Sequence, residues 1–291
     1  MELGKIGVVG TGIMGGGIAQ VCASYGFEVM VAEADQERLN GGLAHIYRAL
    51  DRDEERGRLS QERHRRALER IQGTVDLKDL AFADLVIEAV TENIGLKREI
   101  FGTLGDACPP DTILASNTSS LSLSEISAAS GRQDRSIGLH FFNPPTVLKL
   151  VEIVTTADTS QRTIEQSMAF CDSIDRITVR VQDTPGFIVN RLLVPFIYDA
   201  IRMVEAGVAS PEDVDQACKV GLNHAMGPLA TADLVGLDTL AQIGDSMFEE
   251  FGDRRFKPPT LLRRMVSLGR LGRKSGHGIL IEPADKEAVS S

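Results

Sequence analysis

The sequence predicts an α/β protein in two parts: a doubly wound sheet over residues 1–183, followed by an all-α domain over residues 184–291. Three observations carry this. Short apolar runs alternate with amphipathic segments as far as Gln182, the pattern of strands exchanged with crossover helices. A glycine-rich turn, GTGIMG, follows the first run. The alternation stops for good near Asp183-Thr184-Pro185-Gly186, and only helical patterns follow.

The first run, GKIGVV (4–9), predicts a buried strand. Gly10, Gly12 and Gly15 come next, then a helix ending at Gly26, then a strand over 28–32 with Glu33 at its end. In such a unit the first glycine allows the tight turn, the second lets a pyrophosphate approach the backbone, and the third packs helix on strand. The helix N-terminus, with Ile13 and Met14 in its first turn, offers free N–H groups to phosphate. An acid about 20 residues on suits ribose hydroxyls and repels a 2′-phosphate, so Glu33 favours NAD over NADP. The unit is Rossmann-like, which makes the first domain NAD-binding.

Residues 36–72 read as a polar helical excursion, two helices turning near Gly57. Arg48, Arg52 and Arg56 recur at a helical spacing and form a cationic stripe that could meet an anionic part of a substrate. The interleaved Asp51, Asp53, Glu54 and Glu55 leave open a plain solvated face laced with ion pairs. A short strand near 73–76, a strand over 84–90, a helix over 94–107, a strand over 112–116, a helix over 122–129 and a strand over 136–142 come next. Further strands over 150–156 and 176–182 flank a helix that begins near Thr159. This alternation implies a parallel sheet with helices on both faces, and ligands in such sheets bind at the carboxyl ends of strands. Glu92 with Lys97, the run from Ser116 through Asn117 and Ser119 to Ser120, and His140 with Asn143 all fall at such ends.

In the second part, FIVNRLLVPFIYDAIRMVEAG reads as a helix apolar on nearly all sides and kinked at Pro195. Ser210-Pro211 is a capped helix start. Helices over 229–251 and 259–268 and a glycine- and base-rich loop, GRLGRKSGHGIL, complete the chain.

Composition narrows the function. A net charge of −10 argues against nucleic acid as a partner, and no apolar run is long enough to span a bilayer, so no membrane is expected. The N-terminus runs directly into a strand with no leader pattern. Cys22, Cys108, Cys171 and Cys218 form no CxxC or Cys/His cluster, so buried free thiols, no metal and a cytoplasmic location are expected. His45, His64, His224 and His277 lack an apolar setting with a paired acid and read as surface or packing residues.

The stretch GLHFFNPPTVLKLVEIV (138–154) stands apart. It places one histidine, His140, at the end of an apolar run and one acid, Glu152, inside another. An imidazole oriented by a carboxylate is a general acid/base suited to taking a proton from an alcohol.

In order along the chain, GTGIMGGGIAQ, TENIGLK, SNTSS, LHFFNPP with VEIV after it, and TPGFIVNRLL resemble the short-chain L-3-hydroxyacyl-CoA dehydrogenases, including the 3-hydroxybutyryl-CoA dehydrogenases. The resemblance spans nearly the whole chain. It implies NAD as cofactor, an acyl-CoA substrate, oxidation of a 3-hydroxyacyl-CoA to the 3-oxoacyl-CoA, and a helical second domain that makes a homodimer. It implies His140 and Glu152 as the catalytic pair, with Ser119 and Asn190 touching substrate. It further implies cofactor contacts at Gly10, Gly12, Ile13, Met14, Gly15, Glu33, Glu92, Lys97, Asn117, Ser119 and Asn143. Glu33 stands where the family usually has Asp. In the excursion, Arg56 and Ala49 stand where the family uses a lysine and a serine for the CoA nucleotide, and the tail reads GHGILI where relatives carry an aromatic. Two other readings of the residues are a dehydrogenase of a small free hydroxy acid or sugar acid, and a non-catalytic NAD-binding protein.

Overall fold

The computed structural model describes residues 3–281, so the outer limits of the expected domains, 1 and 291, lie outside the described residues. Contacts divide the chain into two units that meet between Thr184 and Pro185.

The first unit opens with β1 (Lys5–Val9), α1 (Ile13–Ser24) and β2 (Glu28–Ala32), continues through the excursion helices α2 (Gln36–Glu55) and α3 (Gln61–Arg70), and enters β3 (Ile71–Thr74) directly. Then follow β4 (Leu85–Glu88), α4 (Ile94–Ala107), β5 (Ile113–Ser116), α5 (Leu123–Ala129), β6 (Ser136–Phe141), β7 (Leu150–Thr155), α6 (Gln161–Ser173) and β8 (Ile177–Gln182). The strands form one eight-stranded sheet in the order β3-β2-β1-β4-β5-β6-β7-β8. Apolar clusters pack against it; one centres on Ile6, Val8, Ile18 and Ile46, another on Val86, Phe101 and Leu104.

Several expectations need correction. The sheet is not parallel throughout, because β7 pairs with β6 antiparallel, whereas β8 is parallel to β7. Only residues 142–149 connect β6 to β7, too few for the crossover of a dozen or more residues that parallel neighbours require. The short strand placed near 73–76 begins at Ile71 instead, and a 3₁₀ segment, Leu77–Phe82, follows it.

The second unit contains α7 (Val189–Glu205), α8 (Pro211–Gly221), α9 (Pro228–Val235), α10 (Leu237–Phe251) and α11 (Thr260–Ser267). The helix α7 buries one stripe within this unit, Val194, Ile197, Tyr198 and Ile201, and leaves the apolar Leu192 exposed. Pro195 lies inside it. Ser210 caps α8 by accepting from the Asp213 N–H, with Pro211 at the first turn. The single helix expected over 229–251 is two, because Gly236 at φ 102° breaks it. The glycine-rich tail is held down by Asp233, whose buried carboxylate accepts from the N–H groups of Ile279, Leu280 and Ile281. No helix among the described residues is long and apolar enough to cross a membrane.

Candidate active site

The glycine turn shows which of its glycines the protein itself needs. A Cβ at Gly15 would run into the Gly10 carbonyl oxygen, and Gly10 adopts φ +93° beside Ala89. These two are required by the backbone. Gly12 is different: a Cβ there would meet nothing within 4 Å. Its bareness leaves room for a guest. Beside it Ile13 is exposed, and Met14 packs against the core.

The helix that follows is also unusual within the first unit. Side chains cap α2 (Asp35), α3 (Ser60), α4 (Asn93), α5 (Ser122) and α6 (Ser160). Helix α1 has no side-chain cap at Gly12. A cap contributes about 1 kcal/mol, so leaving donors unmet at this one end favours an external anion. The residues present therefore fit a dinucleotide pyrophosphate.

Glu33 lies at the end of β2, as a ribose-binding acid must, but it also serves the turn. Its Oε1 accepts from the Thr11 N–H (2.7 Å) and hydroxyl (2.9 Å), and its Oε2 accepts from the Ala34 N–H (3.2 Å). A carboxylate has about four acceptor sites, so capacity for a ribose hydroxyl remains. The longer Glu thus ties the turn to the strand end.

Two strands along, the carboxyl ends of β4 and β5 hold a polar network. Glu92 accepts from the Ser119 N–H (2.6 Å), the Ser119 hydroxyl (3.0 Å) and the Thr118 hydroxyl (3.0 Å). The Asn117 side chain accepts from the Phe141 N–H at 2.9 Å, joining β5 to β6 next to His140. Lys97 is enclosed rather than open to a ligand. Its ammonium donates to Glu88 (2.6 Å) and the Val90 carbonyl (3.3 Å), and Glu92 lies 3.4 Å away. Three donors facing three protein oxygens let Lys97 order Glu88 and Glu92. Glu88 and Thr11 were not singled out from the sequence, although an acid inside the apolar run LVIEAV is the same signal that marks Glu152.

His140 and Glu152 face each other as registered neighbours across the β6–β7 pair, with Nδ1 2.6 Å from Oε2. Both are buried, and the Phe142 ring lies against the imidazole at 4.5 Å. Asn143 lies in the loop after β6 and is exposed. The next-but-one residue, Pro145, fills the space that a Cβ on Gly17 would occupy, so this loop rests on α1. Asn190 is half-buried in the first turn of α7, within the second unit.

Arg48, Arg52 and Arg56 are exposed, Arg56 one residue past the end of α2. Among the described residues none of the three makes an ion pair. Their acidic neighbours are engaged elsewhere, Asp53 with Gln20 and Arg58, and Asp51 with His64. The reading of this face as laced with ion pairs therefore fails at these arginines. His64 pairs with Asp51 in an exposed setting, and the pair ties α2 to α3. Ala49 is half-buried. Cys22, Cys108 and Cys171 are buried free thiols, whereas Cys218 is half-exposed. No group of residues that could hold a metal occurs among the described residues.

Residues 5–184 match the 3-hydroxyacyl-CoA dehydrogenase NAD-binding domain, and residues 186–282 match the C-terminal domain of the same family. The chain is 48% identical over 276 residues to 3-hydroxybutyryl-CoA dehydrogenase of Mycobacterium tuberculosis, covering 94% of this chain and 96% of the relative. It is 45% identical over 278 residues to probable 3-hydroxybutyryl-CoA dehydrogenase of Bacillus subtilis, covering 96% and 97%. The crystal structure of FadB2 from Mycobacterium tuberculosis superposes with a TM-score of 0.95 at 46% identity, covering 97% of this chain and all of that one. With both domain models matched in order over nearly its full length, the chain belongs to the 3-hydroxyacyl-CoA dehydrogenase family.

Proposed function

We propose that this protein catalyses the NAD-dependent, reversible oxidation of a short-chain L-3-hydroxyacyl-CoA, with 3-hydroxybutyryl-CoA as its first substrate, to the 3-oxoacyl-CoA. The observation that carries the reading is the buried His140–Glu152 pair on β6 and β7, strands of the same sheet whose β1 leads into the bare glycine turn. Its similarity to 3-hydroxybutyryl-CoA dehydrogenases supports the acyl group.

NAD, when bound, supplies the acceptor for two electrons. The protein's part is acid–base and positional. With Glu152 ionised, the Nδ1–H of His140 donates to it, and Nε2 is then the nitrogen with a lone pair. Nε2 takes the proton of the C3 hydroxyl, and the Glu152 charge stabilises the imidazolium that forms. Ser119 is held by Glu92 through its N–H, and its hydroxyl, which donates to Glu92 here, is assigned to turn its single proton to the developing carbonyl oxygen when substrate is present. Asn190 is assigned the thioester side of the substrate. Gly10, Gly12, Ile13, Met14, Gly15, Glu33, Asn117 and Asn143 are assigned to the cofactor, and Arg56 with its stripe to the CoA phosphates. A homodimer formed through the second unit, in the cytoplasm, completes the proposal; it is supported by the family's helical C-terminal domain and by free thiols.

The test is NADH formation from 3-hydroxybutyryl-CoA, set against free 3-hydroxybutyrate and against NADP. Turnover confined to the CoA ester with NAD supports the reading. Preference for the free acid would return the protein to the small hydroxy-acid class, and no turnover on either would leave a binding protein.

A further inference from the structure

Glu88 is the most enclosed carboxylate in the first unit that the proposed reaction does not use. It ends β4, in register with Val9 on one side and Ser116 on the other, which sets it between the glycine turn and the loop that bears Ser119. Its side chain is wholly buried, and that of Lys97 is 1% exposed. Oε1 accepts from the Val90 N–H (2.8 Å) and the Lys97 ammonium (2.6 Å), and Oε2 accepts from the Ser116 hydroxyl (2.7 Å).

The charges make this arrangement directional. Lys97 sits in the opening turns of α4, where the helix dipole disfavours a cation, and at 1% exposure its side chain is enclosed by protein. It must therefore be balanced by a carboxylate close by. Two are within reach, Glu88 at 2.6 Å and Glu92 at 3.4 Å. The nearer takes the short contact, which leaves Glu92 with its Oε1 on the Ser119 N–H and hydroxyl.

We propose that Glu88 is a positioning residue: by holding the Lys97 ammonium it keeps Glu92 engaged with Ser119. The link to catalysis rests on the assignment of Ser119 above; the link from Glu88 to Glu92 does not. Remove the Glu88 charge, and Glu92 becomes the only carboxylate near a buried ammonium. It would be drawn toward Lys97 and away from Ser119.

The test is a crystal structure of the E88Q variant without cofactor, together with steady-state kinetics of the NAD-loaded enzyme. E88Q keeps the volume and an acceptor for the Val90 N–H. The expected structure brings Glu92 Oε2 from 3.4 Å to about 2.8 Å from Lys97 and breaks the Glu92–Ser119 hydroxyl contact. Turnover is expected to fall about 10- to 100-fold, a misplacement effect, with E88D recovering a large part of it because the charge is kept. E88Q with the Glu92–Ser119 contacts unchanged overturns the proposal, whatever its turnover. If E88Q does not fold, the double variant E88Q/K97M carries the structural test. With no ammonium to draw it, Glu92 should keep Ser119, and loss of that contact there overturns the proposal equally. A wild-type protein inactive on acyl-CoA esters would sink the functional reading alone and leave these structural outcomes to stand or fall by themselves.

Discussion

His140 and Glu152 are twelve residues apart in sequence and directly opposite each other in the β6–β7 register, with Nδ1 and Oε2 at 2.6 Å. The chain brings its acid and base together by the shortest route available, a reversal between neighbouring strands. Both groups are held by backbone pairing on either side of them, so the imidazole's orientation does not depend on a loop.

The first prediction follows from that pair. Replacing His140 by Gln keeps a donor for the buried Glu152 but removes the base, so kcat should fall by about 10²–10⁴. NADH affinity, measured by fluorescence titration, should stay within about two-fold, because the glycine turn is untouched. Replacing His140 by Ala instead leaves Glu152 buried without this partner and should also destabilise the fold, by about 3–5 kcal/mol. Near-normal turnover in H140Q would remove the base from the mechanism.

The glycine turn gives a second, two-sided test. G15A forces a Cβ onto the Gly10 carbonyl and should lower both Tm and NADH affinity. G12A meets no protein atom, so Tm should be unchanged while NADH affinity falls, by about tenfold or more. Equal behaviour of the two variants would contradict the assignment of Gly12 to the pyrophosphate.

A third prediction concerns the direction of the proton. Oxidation of the alcohol consumes neutral imidazole and reduction consumes imidazolium. The single-turnover oxidation rate should therefore rise with pH through one ionisation and the reduction rate should fall through the same one. H140Q should flatten both profiles; two independent ionisations in the wild type would require another base.

The buried thiols make a fourth. Burial pushes Cys22 from 9.0 up to about 12 and raises Cys171 and Cys108 as well. In the folded protein these thiols keep their protons at pH values where the unfolded chain has lost them. Stability is thus complete below about pH 9 and declines as pH rises from there toward 12. The slope is at most about 1.4 kcal/mol per pH unit for each buried thiol. Urea denaturation across the alkaline range should show this decline, and C22S should make it shallower. At neutral pH a thiol reagent should modify Cys218 first and the other three only on unfolding.

The arginine stripe supplies a fifth. Changing Arg48, Arg52 and Arg56 together to Ala should raise KM for the CoA ester several-fold, with KM for NAD unchanged and the effect fading at high salt. An unaltered KM would mean that the CoA phosphates are met elsewhere.

Much of this was legible in the sequence, and the physical reason differs from part to part. The β1–α1–β2 unit was readable because its glycines answer to local backbone geometry. The capped helix start at Ser210 was readable because capping is a nearest-neighbour matter. The direction of β7 was not read, since an apolar run has the same pattern in either direction; the shortness of 142–149 was the overlooked sign. The break at Gly236 was missed because apolar helical spacing continues across it. Lys97 could be placed near Glu92 by spacing, but its enclosure depends on Glu88, which looked like one more position in a strand. What escaped was tertiary: which of two acids a buried cation chooses.

The open space beside Gly12 has an evolutionary corollary. Gly10 and Gly15 are kept by the backbone's own demands, so they would persist in a descendant that had given up its coenzyme. Nothing in the polypeptide protects the bareness of position 12. In a lineage drifting away from redox work, that residue should be the first of the three to acquire a side chain, and its identity is therefore a marker of retained cofactor use where the motif as a whole is not.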